Sequence, residues 1–415
     1  MNPRRSGDRR QGCQQLLPLM MLAIMMGSGT IGIASFGVFG PTIIAEFGLS
    51  NTAFGLLPAS IYLAAMVVSR PFGRIVDRVG APQLIVPLLV TAFLALSVIA
   101  ITPSSYDWMI FIGTLLAGLS LGMSNPVTNS LVASSWHAKA PGLALGAKQA
   151  GGTLMFAYVG FVGPILSALV GWRGAMIALG GLFLLVAPAS YAYFPRHSIP
   201  RVSPKPQPSS VETPSADAAS RPHWVRSLSI FSFTMGSATA TAGSFSVVYS
   251  VEALAFDPVQ AGFLASVWGA FGVVSRIAWV RFAERLPVDN GVLVTIAAVA
   301  IGSTALIISG PIIGGWAMWI AAAGIGVSVF GWNAVAMLLV IRLSDSTDVG
   351  RVSGIILLPF FLGLTISPVA FGTLTDFFGT YLAGWTMQAI AAVVALVAAR
   401  RLQRSFRETQ GRRAD

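Results

Sequence analysis

Charge is what this sequence has least of. Only 10% of its 415 residues are Asp, Glu, Lys or Arg, whereas a soluble domain carries about 25%. A larger core cannot absorb the deficit, because chains of this length normally split into domains with more charged surface. Much of the surface must therefore face something other than water. Cysteine is nearly absent too: Cys13 stands alone, which excludes an intrachain disulfide and a cysteine metal cluster. The histidines, His137, His197 and His223, fall outside the long apolar runs, and no Asp or Glu lies within one apart from Asp107 and Asp289 at the very start of theirs. A membrane hydrolase or metal centre needs such groups inside a span or at its end. An enzyme is therefore excluded, and no catalytic residue, metal or cofactor is expected.

What is present is apolar: 55% of the residues are hydrophobic and the mean hydropathy is +0.76. Runs at 16–44, 52–72, 82–102, 106–135, 141–169, 174–194, 227–251, 259–281, 289–310, 314–342, 352–373 and 380–399 supply twelve candidate spans. A bilayer-crossing helix needs about 20 apolar residues. Barrel strands are shorter and alternate polar with apolar, so continuous runs of this length are helices. The expected fold class is an all-α integral membrane protein of twelve transmembrane helices. The first run is too long for a signal peptide and lacks a convincing small-residue cleavage site.

A formal charge of +11 raises nucleic acid as a partner. The placement of the cations answers it. Arg4, Arg5, Arg9 and Arg10, then Arg70, Arg74 and Arg78, Lys139, the cations of 196–226 and those of the C-terminal tail all fall on one side. The opposite loops hold Glu46, Asp107, Glu252, Asp257 and Asp376 with one cation, Arg173. The positive-inside rule then puts both termini in the cytoplasm of a multi-pass protein of the inner or plasma membrane. The partner is the lipid bilayer, and nucleic acid drops out.

Residues 196–223 are rich in Pro and Ser and read as a flexible cytoplasmic linker. It separates an N-terminal six-helix half, 1–195, from a C-terminal half, 224–415. Gly27-Ser28 and Gly236-Ser237 stand 209 apart, Ser69-Arg70 and Ser275-Arg276 stand 206 apart, and Asn125 and Asn333 stand 208 apart. Three pairs near one offset indicate duplication. Two such halves about an axis normal to the membrane enclose a polar cavity near mid-membrane.

The string Gly73-Arg-Ile-Val-Asp77-Arg78-Val-Gly80 resembles G-x-x-x-D-R-x-G, the loop signature of the major facilitator superfamily, and the resemblance extends over the whole chain. It implies a gating role for Gly73, Asp77, Arg78 and Gly80. Gly80 permits a tight turn, and Asp77 can accept hydrogen bonds from a neighbouring helix N-terminus, a contact that must break when the halves rock. The basic pair that usually follows is replaced by Ala81-Pro82-Gln83.

Polar groups inside the spans decide what passes. Lys148 is the clearest, since an ionisable group at a helix centre costs at least a few kcal/mol. Two readings stand: the ammonium snorkels to the headgroups, or, with Gln149 beside it, it binds an anion. Arg276, in Arg276-x7-Glu284-Arg285, resembles the span 8 arginine of monocarboxylate and oxalate:formate transporters. That resemblance implies a substrate carboxylate held by two parallel hydrogen bonds. Ser35-Phe-Gly-Val-Phe-Gly40 is similar to the start of the same branch, although the cation those carriers often place in span 1 is missing. Arg70 is either structural or part of the site. Asn125, Asn129, Asn333 and Trp332 either line the cavity as neutral donors or glue helices together.

The expected function is a monomeric secondary active transporter that moves a small organic anion, a carboxylate, by alternating access, coupled to a proton or a counter-anion. Two alternatives remain open: a proton-coupled multidrug or small-molecule exporter, disfavoured by the lack of a buried carboxylate, and a non-transporting sensor of the same fold.

Overall fold

The computed structural model describes residues 4–135, 141–194, 223–287, 291–344 and 348–414. His137, Lys139, His197 and the 196–223 linker apart from His223 lie outside the described residues. The helices are α1 (Arg4–Ser28), α2 (Ile31–Phe47), α3 (Asn51–Val79), α4 (Ile85–Ile101), α5 (Ile110–Ser135), α6 (Pro141–Tyr193), α7 (His223–Glu252), α8 (Pro258–Glu284), α9 (Val292–Ile313), α10 (Trp316–Ser328), α11 (Trp332–Leu343), α12 (Val349–Phe378) and α13 (Tyr381–Ala414).

Among the described residues, nine helical stretches are long and apolar enough to cross a bilayer, or ten when α1 and α2, bent by 58°, are taken as one span. Two features account for the rest of the twelve. The stretch Gly146–Tyr193 is 48 residues long and turns at Gly171, whose φ of 73° suits a residue without Cβ, so it crosses twice. The Ser- and Thr-rich α7 is less apolar, yet at 30 residues it is long enough to span. The fold is the all-helical twelve-span bundle that the hydrophobic runs imply. Several helices outlast their runs: α7 starts at His223 rather than at 227, α3 reaches Val79 rather than 72, and α13 reaches Ala414 rather than 399. Backbone hydrogen bonding continues a helix into the headgroup zone, where hydropathy no longer reports it.

Two spans are broken, and each break lies beside the polar residues of interest. Between α1 and α2, Thr30 Oγ1 lies 3.0 Å from the Gly27 carbonyl and 3.1 Å from that of Gly152 on α6. Between α10 and α11, the break at 329–331 leaves the Phe330 carbonyl for a side chain to take.

The first six spans pack on the second six along α2–α7, α3–α12 and α6–α8. Absent side chains make this approach possible. A Cβ on Gly37 would lie 2.2 Å from the Gly243 carbonyl oxygen, and one on Gly55 would lie 2.3 Å from that of Pro368. Phe54, Phe245 and Phe371 fill the space beside these contacts, with ring centroids 5.4 and 4.5 Å apart. On the same face, Arg173 is bound into the structure. Its Nη2 lies 2.7 Å from Glu46 Oε1, Nη1 donates to the Ala100 and Thr102 carbonyls, and Trp172 Nε1 donates to Glu46 Oε2. The one cation among the acidic loops is thus a staple joining α2, α4 and the turn inside α6.

Candidate functional site

Lys148 lies seven residues into α6, about 10 Å from its start at 1.5 Å per residue. Its side chain is 1% exposed, so the snorkelling reading fails. The ammonium donates to Asn125 Oδ1 at 3.0 Å and to Asn129 Oδ1, both on α5. An ammonium can only donate, which makes the carboxamide oxygens the acceptors. Both asparagines are thus acceptors toward Lys148, and their Nδ2 groups keep their donor capacity. No carboxylate contacts Lys148 among the described residues, so its charge is oriented but not cancelled. Two of its three N–H groups are used.

Arg276, on α8, comes to the same place from the other half. Its Nε donates to the Phe330 carbonyl at 2.9 Å, and Nη1 donates to the Gln149 carbonyl. The guanidinium therefore joins the broken α10–α11 span to the residue that follows Lys148. Two of its five N–H groups are thus directed at backbone carbonyls. Beside it, Phe156, Trp268 and Phe330 form an aromatic cluster, each ring centroid 5.4–5.6 Å from the other two.

The other expected site residues are spread more widely. Gln149 contributes its carbonyl, while its side chain is exposed. Trp332 is buried between Phe231 and Phe360, at ring distances of 5.7 and 5.4 Å, so it packs the helices rather than lining the cavity. Asn333 is half-buried. Arg70 is exposed at the end of the α3 apolar run and has a partner. In the gating string, Gly80 closes α3 with φ of 92°, as a tight turn requires. Asp77 is exposed and makes no hydrogen bond or ion pair among the described residues.

The opposite face holds a contact that the sequence reading missed. Helix α3 begins at Asn51, so its first N–H groups have no intrahelical acceptor. Ser50 Oγ takes the Ala53 N–H at 3.1 Å. Asp376, from the far end of α12, takes the others: its Oδ1 accepts from Asn51 N and Nδ2 at 3.0 Å each, and its Oδ2 accepts from Thr52 N at 2.8 Å and Oγ1 at 2.6 Å. The Tyr381 hydroxyl lies 2.8 Å from Asn51 Oδ1 and 2.5 Å from Glu252 Oε2, and donates to one of them at a time. A carboxylate of one half thus caps a helix of the other. Asp376 was visible as a loop acid, but no local signal tied it to a partner 325 positions away. Among the described residues Asp376 is bound and Asp77 has no hydrogen bond or ion pair, so the two faces of the bundle differ in this respect.

Likeness to known proteins agrees with this geometry. The sequence is 24% identical to a gallate transporter of Pseudomonas putida over 183 residues, 44% of this chain and 40% of that one. The match therefore spans less than half of the relative's length. A mutant of the nucleoside transporter NupG superposes with a TM-score of 0.73 at 14% identity, covering 94% of this chain and 99% of that one. A bacterial homologue of the human lysosomal transporter Spinster, in an inward-facing and occupied conformation, does so with 0.69 at 16% identity, covering 94% and 96%. At such identities these two structures speak for the fold. The Major Facilitator Superfamily pattern matches residues 19–344, and with two helical sets meeting across a polar site, the chain belongs to that superfamily of transporters.

Proposed function

We propose that the protein is a secondary active carrier of a small organic anion, of the carboxylate class, working by alternating access and not as an enzyme. The observation that carries this reading is the state of Lys148, a fully buried ammonium held by two neutral carboxamides with no acid in contact among the described residues. Burying an uncompensated charge costs several kcal/mol, and a ligand carboxylate would return that cost as a charge-assisted hydrogen bond to the unused N–H. Arg276 supports the reading as a second cation beside Gln149. Its carbonyl contacts tie the halves together, and exchanging them for a substrate carboxylate would couple binding to rocking. The likeness to a gallate transporter is in keeping with a carboxylate substrate.

In this reading both termini are cytoplasmic, and the face closed by Asp376 is the outer one. The chain works as a monomer in the inner or plasma membrane, and its coupling ion is a proton or a counter-anion. Binding of a panel of aliphatic and aromatic carboxylates to purified protein, read as thermal stabilisation, tests the proposal. A ligand at 100 times its dissociation constant should stabilise by about 2.7 kcal/mol. Lys148→Gln should weaken the best carboxylate by about ten- to a hundredfold, one charge-assisted hydrogen bond of roughly 1.5–3 kcal/mol. Equal affinity in folded Lys148→Gln would overturn the anion reading.

A further inference from the structure

A second basic site lies away from the central cations. At the face where α7 begins and the apolar part of α13 ends, the two helices border a cavity of about 360 Å³. Its lining changes character with depth. Arg226 and Ser227 on α7 and Arg401 on α13 form the outer end. Ile230, one helical turn further into α7, and Val394 and Val397, one to two turns back along α13, form the inner end. Both arginines are exposed, and neither makes a hydrogen bond or ion pair among the described residues. The three apolar side chains are exposed as well.

These features demand an occupant with two chemistries. Two guanidiniums without an acidic partner among the described residues, beside a hydroxyl, suit a phosphate, which a guanidinium holds through paired hydrogen bonds. A free phosphate would leave the inner wall uncovered. A neutral hydrocarbon would leave the arginines without a counter-charge. An anionic phospholipid satisfies both ends at once, and the cavity lies where the apolar runs of α7 and α13 give way to arginines. Basic pockets between spans bind anionic headgroups for this reason. We infer that the α7–α13 groove holds an anionic phospholipid, with its phosphate between Arg226 and Arg401 and an acyl chain along Ile230, Val394 and Val397. This site is independent of the transported substrate, and a lipid there braces the first helix of the second half against the last.

Native mass spectrometry of the full chain, extracted from bilayers that mix phosphatidylcholine with phosphatidylglycerol, tests the inference. The protein should retain phosphatidylglycerol in preference to phosphatidylcholine, and the doubly substituted Arg226→Gln/Arg401→Gln protein should lose about tenfold of that retention. Arg404→Gln, an exposed arginine of α13 outside the cavity, should keep it. Val397→Trp, which fills the inner end and leaves both charges in place, should lose it. Unchanged retention in the double variant or in Val397→Trp would overturn the site, as would an equal loss in Arg404→Gln. Thermal stabilisation by inorganic phosphate equal to that by phosphatidylglycerol would also overturn it, because a free anion would then be the occupant.

Discussion

Lys148 and Arg276 solve the problem of a buried cation in different ways. Lys148 is satisfied by side-chain carbonyls of its own half, which hold the charge in place and leave it available. Replacing Asn129 with Asp would supply a carboxylate that competes with a ligand for the same ammonium. Asn129→Asp should therefore fold normally and bind carboxylates about tenfold more weakly, the worth of one charge-assisted hydrogen bond; calorimetric titration measures it, and undiminished affinity would mean that the ligand does not use Lys148. Arg276 is satisfied by two backbone carbonyls on different spans. An ammonium cannot reproduce that forked geometry. Arg276→Lys should slow transport by about tenfold or more with its charge intact, one hydrogen bond to a charged group being worth about 1.5–3 kcal/mol, as counterflow in liposomes would read.

We propose that helix ends carry the gating, because a helix N-terminus needs acceptors and can obtain them from either half. Asp376 meets this need for α3 on one face, while Asp77, at the other end of the same helix, has no partner among the described residues. Substitutions at the two positions should act in opposite directions. Asp376→Ala removes a cap worth about 1 kcal/mol, or about fivefold in the ratio of states, and should favour opening at that face. Asp77→Asn should leave the observed state untouched and disfavour the opposite one, slowing transport without loss of binding. Spin labels on the α2–α3 and α12–α13 turns report the separation: it should lengthen in Asp376→Ala and not in Asp77→Asn. Gly55→Val tests the same closure sterically. Its Cβ would meet the Pro368 carbonyl at 2.3 Å, so the contact face cannot close and the longer distance should dominate. A distribution identical to the unaltered protein would remove α3–α12 from the gate.

At the scale of the whole molecule, hydrophobicity sets architecture, and the charge bias carries the proposed orientation. The +11 net charge falls, by the order of the spans in the sequence, in the connections assigned to one side. Arg173, the exception, is consumed by Glu46 and two carbonyls, so it does not compete with that bias. A cysteine placed in the 196–223 linker should react with an impermeant thiol reagent only from the cytoplasmic side. Labelling from outside in intact cells would reverse the topology.

The spans were legible in the sequence because lipid imposes a local requirement: about 20 consecutive apolar residues in a helix that satisfies its own backbone. Lys148 was legible for a related reason, since an ammonium in such a run is costly wherever its partners lie. The Gly80 turn followed from its motif. Which groups meet is another matter. The carboxamide oxygens that face Lys148, the Phe330 carbonyl that accepts from Arg276, the burial of Trp332, and the Asp376 cap on α3 all depend on how separate helices pack. Composition along a helix records how deep a residue can sit in the bilayer. The tertiary structure alone decides which face meets which, because those contacts join residues 19 to 325 positions apart through helix breaks and missing side chains that carry no distinguishing local pattern.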